Sequence, residues 1–144
     1  MQILFPNRHG KKYLVITTSY YRGANGFLLF YDITDRESFK DVNYWLNEIE
    51  KNAKKNVKII LIGNKTDLEN KRNVTYEEGQ EFAKSHNLPF IEISAKTNYN
   101  IQESIELLIK EMIKEFGSQQ KKNNNEVNTF QLVPGNEQKR KKFC

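Results

Sequence analysis

The stretch from Lys58 to Leu68, KIILIGNKTDL, constrains this chain more than any other. Its apolar run, Ile59 to Ile62, reads as a buried strand that stops at Gly63 and hands over to Asn64, Lys65 and Asp67. Three polar side chains at fixed offsets beyond a strand's carboxyl end lie where open α/β sheets place their ligands. The carboxylate of Asp67 can accept two hydrogen bonds from a ring N–H and an exocyclic amine that point the same way. Among the purines only guanine presents that pair, so Asp67 is a candidate base selector. The Asn64 amide can serve the acceptor edge of a base or tie the loop together. The aliphatic stem of Lys65 can lie along a purine face with its ammonium in water.

Turns after strands are often rich in Asn, Lys and Asp for conformational reasons alone, so a second stretch matters. Phe90 to Ile93 reads as another short strand after Pro89 and runs into Ser94, Ala95 and Lys96. Asn-Lys-x-Asp after one strand and Ser-Ala-Lys after the next resemble the guanine-base pocket of small GTPases. The resemblance implies that the Ala95 backbone N–H meets the guanine carbonyl and that the Lys96 stem covers the other purine face. The run YYRGANGFLLFYDITDRESF, from Tyr20 to Phe39, is similar to the Rab branch of that superfamily. The branch implies GTP or GDP as ligand with magnesium, and effectors and regulators of vesicle-mediated traffic as partners.

The surrounding pattern agrees with that fold. Phe27 to Tyr31 is a β-rich apolar run closed by Asp32. Thr34 and Asp35 can cap a helix starting near Arg36, whose stripe of Phe39, Val42, Leu46, Ile49 and Ala53, flanked by Trp45, predicts core packing. Thr75 and Glu78 form a capping box ahead of a short helix, with His86 at its surface-exposed end. A last helix after Asn100 carries Ile101, Ile105, Leu108, Met112 and Phe116 on one face. Strand alternating with helix predicts an α/β fold: part of a GTPase domain, with three parallel strands and flanking helices. The expected organisation is an unmatched segment 1–15, a partial Rab-type domain 16–116 and a flexible basic tail 117–144. His9, beside Gly10 and Arg8, reads as a loop residue.

The phosphate-binding string Gly-x-x-x-x-Gly-Lys-Ser/Thr does not occur among the 144 residues. Sliding the family's pattern back from Thr17 puts Gly10 where a water-orienting Gln would stand, and Phe5 to His9 offer no metal-side Asp-x-x-Gly. No catalytic residue and no metal ligand is therefore assigned. A few base hydrogen bonds supply ~1.5–3 kcal/mol each when charge-assisted, while association costs ~4–15 kcal/mol. The expectation is roughly millimolar affinity for GTP and no hydrolysis by this chain alone. The Phe27–Tyr31 strand would normally pair with the strand leading into the phosphate loop. Without it an apolar edge invites association, unless residues 1–15 cover it.

Charge narrows the partners. From Gly117 onward there are six Lys or Arg and two Glu, so four of the five net positive charges sit in the tail and the folded part is near neutral. A nucleic-acid surface is not indicated. With no bilayer-length apolar run and no signal-peptide pattern, a cytoplasmic chain is expected, and the Asn-x-Thr sequences at Asn64 and Asn73 are then chance matches. The single cysteine, Cys144, follows Lys139, Arg140, Lys141, Lys142 and Phe143. Rab tails end in prenylated cysteines beside basic residues, which implies a peripheral place on the cytosolic face of endomembranes. One terminal Cys departs from that pattern, and Cys144 stands as a lipidation candidate. Two function classes stay open: a Rab-type GTPase, or a non-catalytic interaction protein that keeps the guanine pocket without switching.

Overall fold

The computed structural model describes residues 2–4 and 21–123. Four strands, β1 (Gln2–Leu4), β2 (Gly26–Asp32), β3 (Lys58–Asn64) and β4 (Phe90–Glu92), form one parallel sheet in that order. β2 and β3 run in register for seven residues, from Gly26 opposite Lys58 to Asp32 opposite Asn64. Because side chains alternate across a strand, Phe27, Leu29, Tyr31, Ile59 and Leu61 enter one core and Leu28, Phe30, Ile60 and Ile62 enter another.

The sheet has four strands where three were expected. Gln2, Ile3 and Leu4 pair with Phe27, Leu28 and Leu29, so the amino half of the expected bare edge is covered from within segment 1–15. The cause is the demand of β2 for backbone partners; three residues are too short to show a period.

The steps from β2 to β3 and from β3 to β4 go the same way across the sheet, so right-handed crossovers put both helical connections on the same face. Helix α1 (Arg36–Asn52) joins β2 to β3 and buries Val42, Trp45, Leu46 and Ile49 there. Its cap is Asp35, whose carboxylate accepts the Glu37 N–H at 3.1 Å; Thr34 turns instead to Asp32. Helix α2 (Tyr76–Ser85) joins β3 to β4 behind the Thr75–Glu78 capping box, with exposed His86 as its C-cap. Tyr21 and Ala24, ahead of β2, pack into the same core.

Helix α3 (Ile101–Asn123) crosses the second face, alone among the described residues, and there Leu108 is fully buried and Ile101, Leu107 and Met112 pack around it. It runs through Gly117, the expected start of the tail. A helix-interior glycine costs about 1 kcal/mol relative to alanine, and the good helix formers Gln119, Gln120, Lys121 and Lys122 follow it. Ile109 and Ile113 remain exposed on its outer side. Among the described residues no helix is long and apolar enough to cross a membrane.

Candidate functional site

Both loops of interest leave the carboxyl ends of neighbouring strands, β3 and β4. Asn64 is the last residue of β3, and Lys65 then takes a left-handed conformation (φ 74°, ψ 37°) that turns the chain into a 3-10 segment, Thr66–Lys71. Side chains other than Gly rarely adopt that conformation. Here the Asn64 Oδ1 stabilises it by accepting the Lys65 N–H at 2.8 Å. The same oxygen accepts the Ala95 N–H at 3.1 Å, so of the two roles open to Asn64 the structure shows the tie between loops. Backbone bonds from Thr66 N–H to the Ile93 carbonyl (3.2 Å) and from Ile93 N–H to the Gly63 carbonyl (2.8 Å) complete the junction.

The second loop closes on itself. Ser94 and Tyr99 exchange two backbone hydrogen bonds of 3.1 Å each. Asn98 and Asn100 occupy positive φ, which Asn tolerates, and the Asn100 amide donates to the Glu92 carbonyl at 2.9 Å. The Ser94 hydroxyl, buried, donates to Asp67 Oδ1 at 2.6 Å and accepts the Thr97 N–H at 3.1 Å. Asp67 is thereby fixed from across the gap, with the ammonium of exposed Lys96 4.0 Å from its Oδ2.

Asn64, Lys65, Asp67, Ser94, Ala95 and Lys96 therefore stand together at one end of the sheet. One detail differs from the sequence reading: the Lys65 ammonium is not simply in water but 2.6 Å from Asp32 Oδ2. Asp32 ends β2 directly beside Asn64, and its Oδ1 accepts the N–H and hydroxyl of Thr34 at 2.8 and 2.7 Å. Burial pushes the Asp32 carboxyl up, but the hydrogen bonds from Lys65 and Thr34 outweigh it and hold it below the usual carboxylate range. Beneath the cluster Arg72 makes a forked bond to Glu92 (2.7 and 2.8 Å), binds Glu69 on its other side and reaches the Val74 carbonyl at 3.0 Å. The Glu92 and Glu69 carboxylates raise the Arg72 pKa against the opposing effect of its burial. Asp32, Thr34, Tyr99, Asn100 and Arg72 were not legible as site residues. Asp32 was visible as a strand end, but nothing in the spacing tied it to Lys65.

Chemically, the cluster offers a polarised carboxylate, amide groups and two long aliphatic stems around a gap. Its groups are of the kinds that can hydrogen-bond and flank a flat heterocycle. Among the described residues no group of three or more His, Cys, Asp or Glu could hold a metal. A separate cavity of about 170 Å³, bordered by Asn25, Lys55, Asn56, Lys58 and Met112, lies at the amino ends of β2 and β3 and shares no residue with the cluster. His9, Cys144, the string from Phe5 to Gly10 and the basic terminus lie outside the described residues.

Comparison with known proteins adds sequence evidence. A family model described as the Ras family matches residues 10–114. The chain is 42% identical over 134 residues to the GTP-binding protein ypt2 of Schizosaccharomyces pombe, covering 93% of this chain and 66% of that protein. It is 41% identical over 115 residues to the Ras-related protein Rab-13 of Bos taurus, covering 80% and 57% respectively. It is also 41% identical over 122 residues to the Ras-related protein RIC1 of Oryza sativa subsp. japonica, covering 85% and 60%. The chain thus spans between 57% and 66% of the length of these relatives.

Proposed function

Since the chain belongs to the Ras family of small GTPases, on its Rab branch, we propose that its two-loop cluster seats the base of a guanine nucleotide, GTP or GDP. The observation that carries this reading is the arrangement of Asp67. Ser94 takes one lone pair of its Oδ1, while Oδ2 faces only the Lys96 ammonium at 4.0 Å among the described residues. Each carboxylate oxygen accepts two hydrogen bonds, so both retain capacity for the ring N–H and exocyclic amine of guanine. The Ala95 N–H, now on Asn64 Oδ1, is a donor for the base carbonyl, and the stems of Lys65 and Lys96 would flank the ring.

Membership of this family supports a role in vesicle-mediated membrane traffic, with effectors and regulators of that process as partners and a peripheral site on the cytosolic face of endomembranes. The basic terminus would supply attraction to anionic lipid at about 1 kcal/mol per charge, and a prenyl group on Cys144 the second signal for stable anchoring. Magnesium accompanies the triphosphate in this family, and among the described residues no group of three or more His, Cys, Asp or Glu would hold it. The base seat on its own fits the class of a guanine binder better than that of a hydrolase: residues 1–144 should hold the nucleotide through the base, weakly, and not turn it over.

The test is a chemical-shift titration of the full chain with guanosine and adenosine 5′-monophosphates, which reads millimolar binding. Shifts at Asp67, Ser94 and Ala95 with the guanine nucleotide alone support the reading. Equal response to both, or none at those residues, refutes it. Intact mass of the chain from its native cell reports on Cys144.

A further inference from the structure

The Lys65–Asp32 pair has features that a chance surface ion pair lacks. The Asp32 carboxylate is aimed before the lysine reaches it: Thr34 holds Oδ1 with two hydrogen bonds, and the β2–β3 register fixes the backbone opposite Asn64. Its side chain is only 22% exposed, and the ammonium sits on the remaining oxygen at 2.6 Å. At the other end of the lysine, the left-handed backbone of Lys65 is itself held by Asn64. The stem, half of whose side chain is exposed, is thus tied at both ends.

We propose that Asp32 is a positioning residue of the base site: by gripping the Lys65 ammonium it lays the aliphatic stem in place as a platform for the purine ring before the base arrives. The proposal rests on the guanine-site reading above. An unbranched side chain ordered only on binding gives up rotamer freedom at that moment, and a stem ordered beforehand does not. Stacking on a methylene stem is blind to the groups on the ring edge. Asp32 therefore sets affinity for purines in general, while discrimination among them stays with Asp67.

Two measurements on the full chain decide this. The first is the side-chain ammonium NMR signal of Lys65, expected to be slowed in exchange in the wild type and lost in Asp32→Asn. The second is titration with guanosine and inosine 5′-monophosphates, which differ by the exocyclic amine. Asp32→Asn should weaken both by the same factor, roughly two- to tenfold, leaving their ratio unchanged. Lys65→Met, which keeps an apolar stem but cannot be gripped, should do the same, and it serves if Asp32→Asn fails to fold. A freely exchanging Lys65 ammonium in the wild type overturns the proposal, as does unchanged binding in both variants. Loss of the guanosine-to-inosine ratio would mean that the site has merely loosened, and it too overturns it. A wild type that binds neither mononucleotide removes the base-site reading itself, an outcome separable from failure of the variants alone.

Discussion

The ring of Tyr31 lies against two glycines. A Cβ at Gly63 would stand 2.9 Å from its hydroxyl oxygen, and one at Gly79 would meet the same oxygen and come within 2.6 Å of Phe90 Cζ. Gly79 lies inside α2, where alanine would by itself favour the helix by about 1 kcal/mol. Overpacking a core costs typically ~1–3 kcal/mol, so Gly79→Ala should lower the urea midpoint despite the better helix former. An increase would show that Tyr31 can move aside. In the proposed base site, Asp67→Asn replaces an acceptor pair with an amide that can accept on one side only. Charge-assisted bonds are worth ~1.5–3 kcal/mol each, so guanosine monophosphate affinity should fall at least tenfold, read by the same titration. The six residues proposed to hold the base could be named from the sequence because they fall in two short strings, each anchored to a strand end. The Lys65–Asp32 pair could not, since only the β2–β3 register makes neighbours of residues so far apart in the chain.

Between elements, one ion pair joins the amino ends of α1 and α2. Arg36 donates to Glu78 at 2.5 and 3.1 Å and also to the Asn73 carbonyl, while Glu78 closes the capping box by accepting the Thr75 N–H at 2.8 Å. The Arg36 bond first, and the Thr75 N–H second, bring the Glu78 carboxyl down to about 2. A carboxylate depressed in the folded state contributes stability that is fully present above its unfolded value, about 4.3, and is lost as pH falls through about 2. Glu78→Gln should therefore lose less stability than the wild type between pH 4.5 and 2, measured by urea melts across that range. The exposure of both partners keeps this contribution small. The cap itself is worth more: Thr75→Ala should cost roughly 1 kcal/mol at neutral pH. Caps of this kind are local and were readable as Thr-x-x-Glu and as Asp35, and so were β2 and β3 as apolar runs of strand length. The full extent of α3 was not, because Gly117 reads as a stop while its neighbours favour helix.

For the molecule as a whole, the sheet order depends on β1, a strand of three residues that pattern reading passed over. Ile3→Pro would remove a backbone donor and fix φ in the middle of that strand. The expected result is a melting temperature lower by roughly 3–8 °C and a concentration-dependent shift toward larger species on size exclusion, as β2 is bared. A monomer of unchanged stability would mean that β1 adds nothing to the fold. The right-handed crossovers place α1 and α2 together over one core and leave α3 as the sole described cover of the other. That arrangement couples the end of the chain to the interior mechanically. Tension applied beyond Asn123, as by a terminus tethered to a moving surface, would act first on α3. Peeling it away would wet Leu28, Phe30, Ile60 and Ile62 in a single event, while the loops after β3 and β4 still stood on intact strands.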